Sequence, residues 1–348
     1  MSRDPVIAIV GATGAVGVEF LHLIERRGVR FSELRLLASA RSVGSTMRCG
    51  ARDLTVHEAT PQSFDGVDVA LFSAGKGVSK ALAPAAVRAG AWVVDNSSAF
   101  RMEEGVPLVV PEVNAHELDA LGAPCIIANP NCSTIIALVA VTPLHRAVRV
   151  ERMVVSTYQA ASGAGAAAMR ELEGQAREFA DGREYTTEVF GRQYLFNVFS
   201  HNSAVGSDGY NEEERKLLQE TRKIWADPAV RVTATCVRVP VLRAHCEAIN
   251  LSFAADMPES RVREVLASAP GVRVVDDRAA NRFPEPIDAA GRDEVLVGRI
   301  RQDWSQDGQR GIDLFVAGDQ IRKGAALNAI QIVERLVAQG KVGPAMVR

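Results

Sequence analysis

Several kinds of feature are missing from this chain, and each absence narrows the reading. No apolar run reaches the ~18 residues that a membrane-spanning helix needs. An excess of one charge is also missing: Lys and Arg total 40 against 42 for Asp and Glu, giving a formal net charge of −2 with 24% of residues charged. Such a balance provides no basic field for nucleic acid or an anionic membrane surface. Cysteines number five, at 49, 125, 132, 236 and 246. The count is odd and no two form C-x-x-C, which excludes a disulfide framework and a thiolate zinc site. These residues read as reduced thiols of a cytoplasmic protein. The six His residues offer no H-E-x-x-H or similar metal-ligand spacing, so no metal is expected. Met1-Ser2-Arg3-Asp4-Pro5 leads straight into strand-like sequence, without the pattern of a signal peptide. There is no internal repeat and no long disordered linker. Aromatic residues make up only 5%, so a local cluster of them carries information.

What is present suggests two domains, each large enough to bury a core. Val6 to Val10 is apolar, β-branched and of strand length. Gly11-Ala12-Thr13-Gly14-Ala15-Val16-Gly17 follows, and a helical pattern runs from Val18 to Arg27 before Gly28. Strand, Gly-rich turn and helix form the context of a dinucleotide fingerprint, here spaced G-x-x-G-x-x-G. Small residues let the backbone approach a pyrophosphate at the helix N-terminus. The next strand, Leu34 to Ala38, ends in Ser39-Ala40-Arg41-Ser42. An NAD site places an acid there for the ribose 2′-hydroxyl. Arg41 in its place favours the 2′-phosphate of NADP.

Further strands are predicted at Val67–Phe72 and Ala91–Asp95, with a helix at 77–89 between them. Strands alternating with helices imply a parallel sheet covered on both faces. Ligands of such sheets gather at the carboxyl ends of strands. Gly11, Ser39, Ser73, Asn96, Arg101 and Cys132 all fall there. Arg101 on that rim is a candidate anion binder.

Asn129-Pro130-Asn131-Cys132-Ser133-Thr134 stands between an apolar strand, Ile126–Ala128, and an apolar run long enough for a buried helix. Asn131 is a good N-cap, so Cys132 is expected to open the helix. A thiol there meets the positive end of the helix dipole and unpaired N–H groups, which favour the nucleophilic thiolate.

From residue 150 the texture changes. Val150–Tyr158 reads as a strand, followed by Gln159-Ala160-Ala161-Ser162-Gly163-Ala164-Gly165, where glycines permit close approach by a flat ring. A helix is predicted at 166–180. Tyr185, Phe190, Tyr194, Phe196 and Phe199 cluster within 15 residues. They form either a local core or a subunit contact, and a homodimer contact is the expectation. A helix from Asn211 to Ile224 puts Glu213 and Lys216 on one face. Strands are expected at Val230–Pro240 and near Ala248–Phe253, 295–300 and 312–317. Helices are expected near 259–268 and from Lys323 to about Leu336.

Taken together, the Asn129–Thr134 segment, Tyr158–Gly165 and Arg238-Val239-Pro240-Val241-Leu242-Arg243-Ala244-His245 resemble the aspartate-β-semialdehyde dehydrogenases. The resemblance covers nearly the whole chain. It implies an α/β fold: a Rossmann-like nucleotide-binding domain, discontinuous at 1–132 plus 323–348, with a second α+β catalytic and dimerisation domain at 133–322. It implies interconversion of L-aspartate 4-semialdehyde, phosphate and NADP with L-4-aspartyl phosphate and NADPH. That step lies in lysine, threonine, methionine and diaminopimelate biosynthesis. By resemblance Cys132 is the nucleophile, His245 the general acid/base and Gln159 the residue orienting the reacting group. Arg238 would bind the substrate carboxylate and Glu213 its amino group. Arg101, Asn131 and Lys216 match phosphate positions. Gly11, Thr13, Gly14, Ala15, Val16, Gly17, Ser39, Arg41, Ser42, Ser73, Gly75, Ser162, Gly163, Gln320 and Asn328 make up the cofactor set. A homodimer is implied. The related N-acetyl-γ-glutamyl-phosphate reductases are an alternative, although their cysteine lies in a Pro-Gly-Cys-Tyr type of context. A catalytically silent NADP-binding relative is another, although Cys132, Gln159 and His245 are all retained.

Overall fold

Every residue of the Val6–Val10 strand (β1) is buried, as a β-branched run at the centre of a doubly covered sheet requires. This computed structural model describes residues 4–342. They fall into two units. One comprises the residues up to Asn131 together with those from Ala325 onward, and the other is Cys132–Gly324.

Seven strands build the sheet of the first unit: β1, β2 (Glu33–Ala38), β3 (Thr46–Cys49), β4 (Arg52–Glu58), β5 (Val69–Phe72), β6 (Trp92–Asp95) and β7 (Ile126–Ala128). Their order is β3-β4-β2-β1-β5-β6-β7. All neighbours are parallel except the β3–β4 edge hairpin. Alternation along β1 divides the core. Ile7 and Ile9 join Phe20, Leu23 and Ile24 of the Ala15–Arg26 helix and Ile330 and Val333 of the Leu327–Ala338 helix. Val6, Ala8 and Val10 join Phe72, Ala83 and Ala86 on the other face. The last helix belongs to this unit because its apolar stripe fills the first of those two cores.

The second unit is built on a mixed sheet: β8 (Val150–Gln159), β9 (Phe199–Ser200), β10 (Arg231–Arg238), β11 (His245–Phe253), β12 (Val272–Val274), β13 (Val295–Gln302) and β14 (Gly311–Gly318), in the order β12-β13-β14-β11-β8-β10-β9. β8 and β10 run parallel, whereas β11 is antiparallel to both β8 and β14. One face is dry. Met153, Val155, Thr157 and Gln159 on β8 are buried, while the alternate Tyr158 stays partly exposed. The Cys132–Ala147 helix covers this face and is buried almost all round, as its lack of a polar stripe demands. It lies so close that a Cβ added to Gly318 would stand 2.8 Å from Ile136. The Glu212–Ile224 helix opens with a capping box: Glu214 N–H donates to Asn211 Oδ1 at 3.0 Å and Asn211 N–H to Glu214 Oε2 at 2.9 Å. Such a cap is worth about 1 kcal/mol.

Differences from the sequence expectations lie at element ends and edges. The first helix begins at Ala15, within the glycine turn, rather than at Val18. The strand expected from Ala248 begins at His245. The final segment winds as a π-turn over Arg322–Ala326 before the α-helix starts at Leu327. β3, β4, β9 and β12 were not anticipated. They are short or largely exposed strands at or next to a sheet edge, without an apolar period to reveal them. No helix among the described residues is long and apolar enough to cross a membrane.

Candidate active site

In the first unit the glycine turn forms one wall of a cavity of about 670 Å³ at the carboxyl ends of the strands. Gly11, Thr13, Gly14, Ser39, Arg41 and Ser73 line it together, with Glu58 and Val78. Gly11 adopts φ +84°, and a Cβ there would lie 2.8 Å from the Ser73 carbonyl oxygen. A Cβ on Gly17 would collide with the carbonyls of Gly11 and Ala12. Both positions therefore require glycine, and the space they leave open fits a pyrophosphate at the start of the Ala15–Arg26 helix. Ala15 and Val16 form the first turn of that helix. Ser42 lies 3.4 Å from Thr13 through their hydroxyls. Gly75, at φ +84°, is the N-cap of the Lys76–Arg88 helix. Arg41 is exposed on a short 3₁₀ turn. An acid is nevertheless present on the cavity wall: Glu58 ends β4, opposite Ala38 in the parallel pairing. Sequence reading missed it because β4 was not recognised.

Arg101 and Asn328 are tied into the same unit. Arg101 is buried, and donates from Nε to the carbonyl of Asn129 and from Nη2 to that of Asn96, both at 2.9 Å. Asn328 Nδ2 donates to Val109 O at 2.9 Å and Asn129 Oδ1 at 2.7 Å, and Asn129 in turn donates to Asn96 Oδ1 at 2.7 Å. This network fixes the chain three residues before Cys132. Asn131 is buried as well.

In the second unit Cys132 begins its helix as expected and is partly accessible. Gly324 of the same unit lies against it, since a Cβ there would stand 2.8 Å from Cys132 Cβ. Gln159, at the end of β8, donates from Nε2 to Ser133 Oγ at 2.8 Å and to Glu213 Oε1 at 3.2 Å. Glu213 Oε2 pairs with Lys216 Nζ at 3.0 Å. The buried amide of Gln159 thus bridges the first turn of the cysteine helix and the Glu212–Ile224 helix. Gly163 stands in the turn beyond β8, where a Cβ would lie 2.8 Å from Arg238 Nη1 and 2.9 Å from His245 Nε2. Gln320 bonds Ser162 Oγ through Nε2 and accepts from Ala244 N–H at 2.9 Å. Ala244 is held at φ +74° immediately before His245, a strained conformation for a residue with a Cβ.

His245 is fully buried. Its Nδ1 accepts from Ala160 N–H at 3.0 Å, while Nε2 has no hydrogen-bond partner among the described residues. Those partners assign the proton of the neutral ring to Nε2. Burial, aided by the Arg238 charge, pushes its pKa well below the usual histidine range, with Glu213 opposing. The ring is neutral at pH 7 and offers an N–H donor.

Arg238 ends β10 and is only 3% exposed. Its Nε and Nη2 donate to Asn202 Oδ1 at 3.2 Å, Nη2 also to His201 Nε2 at 2.8 Å, and Nη1 to Ala160 O at 3.1 Å. Among the described residues no carboxylate lies within ion-pair distance of it. Burial lowers its pKa, while Tyr194, Glu213 and Cys132 act the other way. His201 is neutral, its pKa pushed down to about 4 by burial. A buried guanidinium without a counter-ion is a receptor for an anion. His201 and Asn202 went unnoticed in the sequence because they follow a two-residue edge strand with no pattern.

The aromatic cluster divides in two. Phe190, Tyr194 and Phe199 pack edge to face as a local core. Phe196 is 67% exposed, and its ring meets that of the exposed Phe179 at 4.9 Å. The expectation of one five-ring contact surface is therefore corrected: three rings close the unit's own core because Leu172 and Ala168 of the Ala166–Ala180 helix lie against them.

Comparison with known proteins accords with this geometry. The family model "Semialdehyde dehydrogenase, NAD binding domain" matches residues 6–121, and "Semialdehyde dehydrogenase, dimerisation domain" matches residues 141–323. The aspartate-semialdehyde dehydrogenase of Synechocystis sp. is 52% identical over 334 residues, covering 96% of this chain and 98% of that protein. The crystal structure of aspartate semialdehyde dehydrogenase II of Vibrio cholerae complexed with ASA superposes with a TM-score of 0.93 at 43% identity, covering 97% of this chain and 99% of that one. That of the Candida albicans enzyme with NADP gives 0.76 at 25% identity, covering 98% and 100%. Identity at this level, sustained along both units and accompanied by the same fold, makes this chain a member of the aspartate-semialdehyde dehydrogenase family.

Proposed function

We propose that the protein reduces L-4-aspartyl phosphate to L-aspartate 4-semialdehyde reversibly, with NADPH as reductant and release of inorganic phosphate, through a thioester on Cys132. The observation that carries this reading is a helix-terminal cysteine that shares one unit with a buried arginine for which no described carboxylate lies within ion-pair distance. We read the first unit as the discontinuous nucleotide-binding domain and the second as the catalytic and dimerisation domain. The five free thiols suit the cytoplasm.

Each side chain has a task that follows from its chemistry. The Cys132 thiolate attacks the acyl carbon; the carbon–oxygen bond to phosphate breaks and a thioester forms. When bound, the nicotinamide group supplies the hydride that reduces the acyl-enzyme, and accepts it in reverse. The Nε2–H of His245 donates to the carbonyl oxygen as negative charge develops on it, which a buried neutral donor stabilises strongly. Carbon–sulfur cleavage then frees the aldehyde and restores the thiolate. Direct general acid–base exchange at His245 requires Nδ1 to give up Ala160 N–H first. Arg238 holds the α-carboxylate and Glu213 the ammonium. Arg101, Asn131 and Lys216 hold phosphate. Ser162, Gly163 and Gln320 provide the flat turn for the nicotinamide. An N-acetylated substrate has no ammonium for Glu213, which disfavours the N-acetyl-γ-glutamyl-phosphate reductase reading. The direct assay is phosphate-dependent reduction of NADP with aspartate semialdehyde. Reduction that does not need phosphate, or none at all, overturns the assignment.

NADP preference rests on Arg41. Arg41→Ala is expected to weaken NADP about tenfold, the value of one charge-assisted bond at a partly exposed site, and to leave NAD almost untouched. Glu58 sharpens this test, because a carboxylate near the ribose would favour NAD once the guanidinium is gone. Equal losses for both cofactors in fluorescence titration refute the role.

We infer a homodimer, supported by the match to the dimerisation domain and by the exposed Phe179–Phe196 pair. Phe196→Asp is expected to give monomer in light scattering. A folded, active dimer would show that the pair lies outside the contact.

A further inference from the structure

Glu247 is a buried acid that the chemistry above does not use. It lies on β11 two residues after His245, so both side chains share the covered face. Its exposure is 0%, and among the described residues neither carboxyl oxygen has a hydrogen-bond partner of good geometry. Across the sheet it faces Thr157 of β8, two residues before Gln159, and Thr157 pairs with Cys236 of β10. Ser133, in the first turn of the cysteine helix, approaches the Glu247 carboxyl closely enough to lower its pKa. Ser133 Oγ is also the acceptor for Gln159.

We propose that Glu247 is a neutral carboxylic acid which, through Ser133, positions the first turn of the Cys132 helix and the amide of Gln159. This rests on the reading of Cys132 as nucleophile. A hydroxyl oxygen accepts up to two hydrogen bonds, and a protonated acid offers Ser133 a donor that a carboxylate cannot. Charge points the same way. Burial pushes the Glu247 carboxyl well above the ordinary range, with Ser133 opposing and the Glu213 carboxylate adding to the rise. Among the described residues, Glu213 on the neighbouring helix, Cys236 on β10 and Cys246 beside it interact electrostatically with Glu247, and none of these three is cationic. Ionised, Glu247 would place a buried negative charge beside Ser133, the residue that follows Cys132, and so oppose the thiolate.

Two variants and one spectroscopic measurement test this. Glu247→Gln keeps the shape, the neutrality and a donor, and is expected to retain at least about a third of kcat at neutral pH. Any alkaline fall in kcat caused by ionisation of Glu247 should vanish with it. Glu247→Leu removes the donor and is expected to lower kcat about 10- to 100-fold, with KM for either substrate little changed. Infrared spectra of the wild-type protein should contain a protonated-carboxyl carbonyl band at neutral pH that is missing in Glu247→Gln. Absence of that band, or a Gln variant as impaired as the Leu variant, overturns the proposal. If the Leu variant does not fold, the band and the Gln variant's pH profile still decide. Failure of the wild-type protein to use aspartate semialdehyde would instead overturn the assigned function, and leaves the infrared result to be judged on its own.

Discussion

Cys132→Ser is expected to abolish turnover, by on the order of 10⁴-fold or more, because a hydroxyl at the same helix terminus cannot supply the thioester. The four remaining thiols give this test its contrast. Burial pushes Cys236 far up and Cys246 up to about 12, and raises Cys49 and Cys125 above the usual thiol value. None of these four is a competent nucleophile near neutral pH. Limited alkylation at pH 7, read by peptide mass, should therefore modify Cys132 first, with activity lost in proportion. Modification of Cys49 or Cys246 first, with activity retained, would remove Cys132 from its role. Retention of more than a few per cent of activity by the serine variant would do the same. Prior incubation with aspartate semialdehyde should protect the thiol, since the same sulfur would then be engaged.

The residues to which we assign the chemistry were legible because each has a local signature. Asn131-Cys132 after an apolar strand marks a helix terminus, and the glycines at 11, 14 and 17 mark a tight turn after β1. Their neighbours were not legible, because their roles depend on pairings far apart in sequence. Glu58 reaches the cofactor cavity only because β4 pairs with β2. Glu247 faces Thr157 across 90 residues of chain by strand register alone. His201 becomes a partner of Arg238 through a two-residue strand. Asn328 suggested a cofactor contact, yet its amide hydrogens serve Val109 and Asn129. The proton position on His245 is likewise a tertiary fact, set by the N–H of Ala160. Periodicity located the interior of each element well and its ends less well. The strand that begins at His245 shows why: its first residues are buried polar groups of the site, which break the apolar alternation that would have announced them.

Arg238→Met is expected to lower kcat/KM for aspartate semialdehyde by roughly 10²- to 10⁴-fold, the loss of two charge-assisted hydrogen bonds to a carboxylate. Thermal stability should not fall with it. Removing one member of a buried ion pair is normally destabilising because it strands the other charge. Here no carboxylate is stranded, since the guanidinium has none within ion-pair distance among the described residues. Its neighbours are the half-buried His201, the exposed Asn202 and the Ala160 carbonyl, and the first two can turn to water. Methionine then replaces an uncompensated buried charge with an apolar chain of similar length, which holds or raises Tm. Arg238→Lys separates charge from shape. It keeps the cation but cannot span Asn202, His201 and Ala160 while offering a planar fork, so about a hundredfold loss in kcat/KM is expected. Four of the five guanidinium N–H groups are already engaged in this structure. A bidentate carboxylate must therefore displace Asn202 or His201, and Asn202, being exposed, is the one that yields. Asn202→Ala should accordingly lower KM for the semialdehyde modestly rather than raise it. The control is an aldehyde of the same length without the α-carboxylate, on which wild type and Arg238→Met should differ by less than about threefold. A parallel collapse of Tm and activity in Arg238→Met, or equal losses on both aldehydes, would make Arg238 a brace for the β10 terminus and leave the carboxylate site to be sought elsewhere.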